Sequence, residues 1–107
     1  MLDRDPATDE VLRRDDFHCV YCGADLLADV RSFVLIVRDH LRPRGKHGSD
    51  REANRVASCA ACDRLKGGRG DGTLAEARRI VAKRWQLAEA EFARVGSCEG
   101  RELTRIA

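Results

Sequence analysis

The chain has 107 residues, 43% hydrophobic and 36% charged, with only five aromatic side chains: Phe17, Tyr21, Phe33, Trp85 and Phe92. That length predicts one domain around one modest core, and the composition excludes a disordered chain. Net charge is only +2 and the start, MLDRDPATDE, is acidic; with no apolar run near the roughly 20 residues of a membrane span and no signal-peptide stretch, the expectation is a cytoplasmic chain with no membrane partner.

Asp5-Pro6 is a helix-start signal, because Asp caps and Pro fits the first turn. It predicts a helix from about Pro6 to Asp16, with Val11 and Leu12 on the buried side. Cys19-Val-Tyr-Cys22-Gly23 reads as a tight knuckle, Gly23 supplying the turn. Leu26-Leu27-Ala28 leads to Phe33-Val34-Leu35-Ile36-Val37, a run of branched and aromatic residues that predicts a buried strand. Pro43, Gly45 and Gly48 mark a loop, and Arg55-Val56-Ala57-Ser58 a short return strand. Cys59-Ala-Ala-Cys62 opens a helix of about ten residues that stops at Gly67-Gly68. After a glycine-rich break, Thr73-Leu-Ala-Glu76 is a capping box. It predicts a helix to about Arg94 that ends by Gly96, with Leu74, Ala77, Val81, Trp85, Ala88, Phe92 and Val95 on one stripe. The stripe suits packing on the rest of the chain or the seam of a homodimer. Residues 97–107 read as a tail.

The five cysteines of a chain in a reducing compartment point to metal before disulfides. Cys19-x2-Cys22 and Cys59-x2-Cys62 are two knuckles separated by 36 residues. Brought together, they form the closed tetrahedral four-sulfur site that Zn²⁺ prefers, whose role is folding and not catalysis. Cys98 is left over as a lone thiol.

Charge is unevenly distributed. Residues 1–37 carry four basic and eight acidic side chains, residues 38–70 nine basic and four acidic, and residues 71–107 seven basic and six acidic. The middle third therefore has the electrostatic character of a phosphate-binding surface. The predicted strand there ends in Asp39-His40, whose side chains point to opposite faces. Asp63 follows the second knuckle at a helix start. A fold that pairs strand and helix brings Asp39 and Asp63 together, and two oxygen ligands with open positions suit Mg²⁺, Mn²⁺ or a softer divalent cation.

The order Asp39-His40, Pro43, Asn54, Cys59-x2-Cys62-Asp63-x2-Lys66 resembles the HNH endonuclease family in its four-cysteine, zinc-bearing branch. Its ββα-metal motif corresponds to about residues 34–68, and the segment Val11 to Gly23 is similar to the one such proteins place before their first knuckle. The resemblance covers roughly residues 8–70. It implies a small α+β fold: a ββα-metal (HNH) motif with a structural four-cysteine zinc site, flanked by an N-terminal helix and a long C-terminal helix. The nuclease domain is then residues 1–70, followed by the amphipathic helix, 71–96, and the tail. The implied activity is metal-dependent hydrolysis of DNA phosphodiester bonds. His40 takes the place of the general base, Asp39 that of a catalytic metal ligand, and Asn54 that of the Asn that braces the loop and orients the base. Asp63 falls where the family has His or Asn as the other metal ligand, and Lys66 where a basic residue often meets phosphate. Arg42, Arg44, Lys46, Arg64, Lys66 and Arg69 are the candidate DNA-phosphate contacts. Two positions depart from the pattern: Asp63 itself, and His47-Gly48 where a Gly-Gly pair is common. Asp63 keeps open an alternative, a catalytically inactive, zinc-stabilised DNA-binding or scaffold module on the same fold.

Overall fold

The structure, a computed structural model, describes residues 5–97. Cys98 and the rest of the expected tail lie outside the described residues. The architecture is a small α+β arrangement with one two-stranded antiparallel sheet.

The first expected helix is divided. A 3₁₀ turn covers Pro6–Thr8 and the helix proper, α1, is Glu10–Arg14. Asp9 divides them because it is a cap: its carboxylate accepts from the Leu12 N–H at 3.0 Å and pairs with the Arg38 guanidinium. Val11 and Leu12 are buried as the apolar pattern requires. Asp16 and Phe17 then adopt positive φ (53° and 52°) and turn the chain into the cysteine knuckle. Gly23, at φ 78°, closes that knuckle and donates to the Cys19 carbonyl at 2.8 Å.

The expected strand Phe33–Val37 is corrected to a helix, α2, Val30–Val34, with the strand β1 starting only at Val37 and running to His40. Asp29 is the cause, since its side chain accepts from the Ser32 N–H at 2.7 Å and starts a helical turn. The run is not uniformly buried either. Phe33 and Ile36 are partly buried, while Val30 is 77% exposed and Val34 and Leu35 also face outward. β1 pairs antiparallel with β2, Arg55–Ser58, in a register that sets Asp39 opposite Val56 and His40 opposite Arg55. The connection between them carries two 3₁₀ turns, Arg44–Lys46 and Glu52–Asn54. Gly48 is required there: a Cβ would lie 1.7 Å from the Arg42 carbonyl oxygen.

Helix α3, Ala60–Lys66, begins at Cys59, whose sulfur accepts from the Cys62 N–H, and ends at Gly67 with φ 59°. Helix α4 is Leu74–Gly96. Thr73 Oγ1 accepts from the Glu76 N–H at 3.3 Å. The other half of the capping box is replaced, because Asp71 takes the Thr73 N–H and Glu76 pairs with Arg79. One core cluster joins Leu12, Cys19, Leu26, Ala57, Cys62 and Val81, with Phe17, Tyr21, Ile36 and Trp85 around it. A second joins Leu41, Val56 and Ala77. The stripe of α4 thus enters the core over its first three turns, whereas Leu87, Phe92 and Val95 are exposed. No helix among the described residues is long and apolar enough to cross a membrane.

Candidate metal centre and adjoining acidic site

The two knuckles meet. Ligand atoms of Cys19, Cys22, Cys59 and Cys62 all lie within 4.8 Å of one another, and Cys22 Sγ is 3.8 Å from Cys59 Sγ. A tetrahedron with Zn–S bonds of about 2.3 Å has sulfur–sulfur edges of about 3.8 Å, so the spacing fits a metal such as zinc. The chain builds this from two local turns: the knuckle closed by Gly23 and the first turn of α3. The Val20 N–H donates to the Ala57 carbonyl at 3.1 Å and fastens one knuckle to the strand leading into the other.

The thiols are unequal. Burial raises Cys19, but backbone N–H donors of Cys22, Cys59 and Tyr21 outweigh it and bring this thiol down to about 7. Burial pushes Cys62 well up, against the opposing indole of Trp85, whose Nε1–H donates to Cys62 Sγ at 3.3 Å. Burial also raises Cys22. A cation that binds here must therefore displace protons from Cys22 and Cys62, and Cys62 Sγ is already supported by a donor from α4.

The acidic site lies one side chain away. Tyr21, between the two cysteines of the first knuckle, donates its hydroxyl to Asp39 Oδ2 at 2.6 Å. Burial first and the Asp39 carboxylate second push the phenol upward, so Tyr21 stays a donor. Lys66 Nζ is 3.2 Å from the same Asp39 oxygen and donates to the His40 carbonyl at 2.9 Å. Asp39 is 7% exposed. Asp63 is near enough to Asp39 to feel its charge: burial first, then the Asp39 carboxylate, raise the Asp63 carboxyl against the lowering effect of Lys66. Two carboxyl groups held together at this cost suit a hard cation, with Asp39 Oδ2 already fixed by Tyr21 and Lys66.

His40, the neighbour of Asp39 at the end of β1, turns to the connecting loop, where Nε2 donates to Asp50 Oδ1 at 2.7 Å. Arg44 also donates to that oxygen, at 2.9 Å. Asn54 ties the loop shut: Oδ1 accepts from the Arg42 N–H at 2.8 Å, and Nδ2 donates to the carbonyls of Ser49 and Arg42 at 2.7 and 3.1 Å. Arg42, Arg44, Lys46, Arg64 and Arg69 are exposed. Lys66 differs from expectation. Its side chain is 1% exposed and its ammonium is turned inward onto Asp39, so it is not on the outer face with the other cations.

Three contributors are not singled out by sequence reasoning: Tyr21, Asp50 and the indole of Trp85. Tyr21 sits between two ligands and Trp85 sits on the apolar stripe, but nothing local indicates which atoms they touch. No family model, no curated protein and no solved structure matches this chain.

Proposed function

We propose that this chain is a metal-dependent HNH endonuclease that hydrolyses DNA phosphodiester bonds on a ββα-metal motif stabilised by zinc at Cys19, Cys22, Cys59 and Cys62. The observation that carries the reading is the proximity of Asp39 and Asp63, with His40 the next residue of β1, beside a four-thiol cluster. His40 is the general base, removing a proton from the water that attacks phosphorus, a role suited to an imidazole near neutral pH. Asp39 and Asp63 hold one divalent cation, Mg²⁺ or Mn²⁺ or a softer ion, which supplies charge stabilisation at phosphate oxygens when bound. Tyr21 and Lys66 keep Asp39 in one orientation. Asn54 holds the loop that faces His40. The exposed Arg42, Arg44, Lys46, Arg64 and Arg69 meet DNA phosphates and make binding salt-sensitive.

Purified protein should nick supercoiled plasmid with Mg²⁺, Mn²⁺ or Ni²⁺, and His40→Ala should abolish nicking while zinc content is unchanged. A folded, zinc-loaded wild type inactive with every divalent ion would falsify the reading. One contact favours a second reading, the inactive DNA-binding module: the Lys66 ammonium already gives Asp39 a buried positive partner. That reading requires DNA binding without nicking, and no Mn²⁺ uptake beyond the zinc site.

A further inference from the structure

We infer that Asp50 is a positioning residue for His40, holding the imidazole by Nε2 so that Nδ1 is the nitrogen that accepts the proton; this rests on the nuclease reading of His40. The partner of His40 lies on the irregular connection between the two strands, not on a helix or strand. Its Nε2 is 2.7 Å from Asp50 Oδ1. Among the described residues Nδ1 has no side-chain or backbone partner. A ring nitrogen facing an ionised carboxylate must carry the proton, because a carboxylate only accepts. Asp50 is ionised for a physical reason: the His40 hydrogen bond first and the Arg44 guanidinium second hold its carboxyl below the usual range.

The loop is built to keep Asp50 there. Asn54 binds the Ser49 carbonyl one residue before it and the Arg42 backbone on the far side. Arg44 grips the same Asp50 oxygen that His40 uses. Gly48 allows the close approach to Arg42 that bends the chain back. The other side of His40 is also held, since Lys66 donates to its backbone carbonyl. Asp50 therefore gives the imidazole one tautomer and one ring orientation, as a carboxylate does for any histidine that must present its second nitrogen. Arg44, though exposed, is then engaged in this relay and not only in DNA contact.

Asp50 is mostly exposed, so Asp50→Ala should fold, and Asp50→Asn keeps an acceptor at the same place. The chain has three histidines, and His40→Gln assigns the His40 signals in ¹⁵N-histidine-labelled, zinc-loaded protein. At pH about 8, above the ordinary imidazole range, the wild type should show a downfield, exchange-protected Nε2–H proton on His40. Asp50→Ala should lose it, and Asp50→Asn should retain it in part. Plasmid nicking by Asp50→Ala should fall about 10-fold in kcat with KM little changed, and Asp50→Asn should recover part of that loss. An unchanged His40 proton signal in Asp50→Ala, or faster nicking by that variant, overturns the inference while the nuclease reading stands. A protected proton that depends on Asp50, in a wild type that never nicks, overturns the nuclease reading and leaves only the contact.

Discussion

At the scale of single residues, Asp9 does two tasks that the sequence separates by 29 positions. It caps α1 through the Leu12 N–H and pairs with Arg38 on β1. Burial raises its carboxyl, yet the Leu12 N–H and the Arg38 guanidinium outweigh this and hold it below the ordinary value. The folded state thus binds fewer protons at Asp9 than the unfolded chain, so this contribution is complete above the ordinary carboxylate range and is lost as pH falls through the lowered value. Asp9→Ala should cost about 2–4 kcal/mol at neutral pH, from a lost cap and an orphaned, half-buried Arg38. In thermal melts the gap between the two proteins should be constant from about pH 8 to 5 and narrow only below about 4; narrowing near neutrality would contradict this account. The capping role is visible in no local pattern, because Pro6 offers a competing helix start and Arg38 is distant in sequence. The four cysteines are legible for the opposite reason: each pair is spaced locally, and one metal geometry accounts for both.

At the scale of elements, what decides legibility is whether the signal is local. β2, Arg55–Ser58, the start and stop of α3 and the start of α4 follow from short-range chemistry: a short strand, a cysteine turn, the Gly67 stop and a threonine cap; α4 runs through Gly96 and ends at Ser97, whose hydroxyl donates to the Ala93 carbonyl. The segment 30–37 defeats the same reasoning. Its apolar residues look like a buried strand, but Asp29 starts a helical turn and only Phe33 and Ile36 find cover. Helix α4 shows a subtler case. Its stripe reads as core or as a dimer seam, yet Trp85 also donates an N–H to a cluster sulfur, a bond periodicity cannot reveal. Trp85→Phe keeps the ring packing and removes that donor. Zinc affinity, measured by competition with a calibrated chelator, should fall about 10-fold, with helical content by circular dichroism retained. An unchanged affinity would mean that the indole only packs.

At the scale of the whole molecule, the core holds few large apolar side chains. The largest fully buried side chain is a lysine, Lys66, and the apolar ones beside it are Leu12, Leu26, Val11 and Val81. A zinc ion would join the N-terminal knuckle to the junction of β2 and α3, and such binding supplies roughly 10–16 kcal/mol, comparable to the stability of an entire domain. Chelation of the zinc-loaded protein should therefore unfold it, with loss of helical circular dichroism restored by added Zn²⁺. A helical signal that survives complete zinc removal would show that the core is sufficient. Acidic-site assembly is the part least readable in advance. Asp39 and Asp63 can be paired from the order of elements, but the clamp of Tyr21 and Lys66 on Asp39 depends on how the knuckle docks on the sheet.

That clamp has a practical consequence. The chain contains one tyrosine and one tryptophan. The tryptophan touches a sulfur of the cluster, and the tyrosine bridges the cluster to Asp39. Each chromophore is thus a native optical reporter, with no label required and no second copy to confuse the signal. During a chelator titration Trp85 emission and the near-ultraviolet band of Tyr21 should change at the same chelator concentration, because Trp85 touches Cys62 in one knuckle, Tyr21 lies within the other, and one four-sulfur site joins the two.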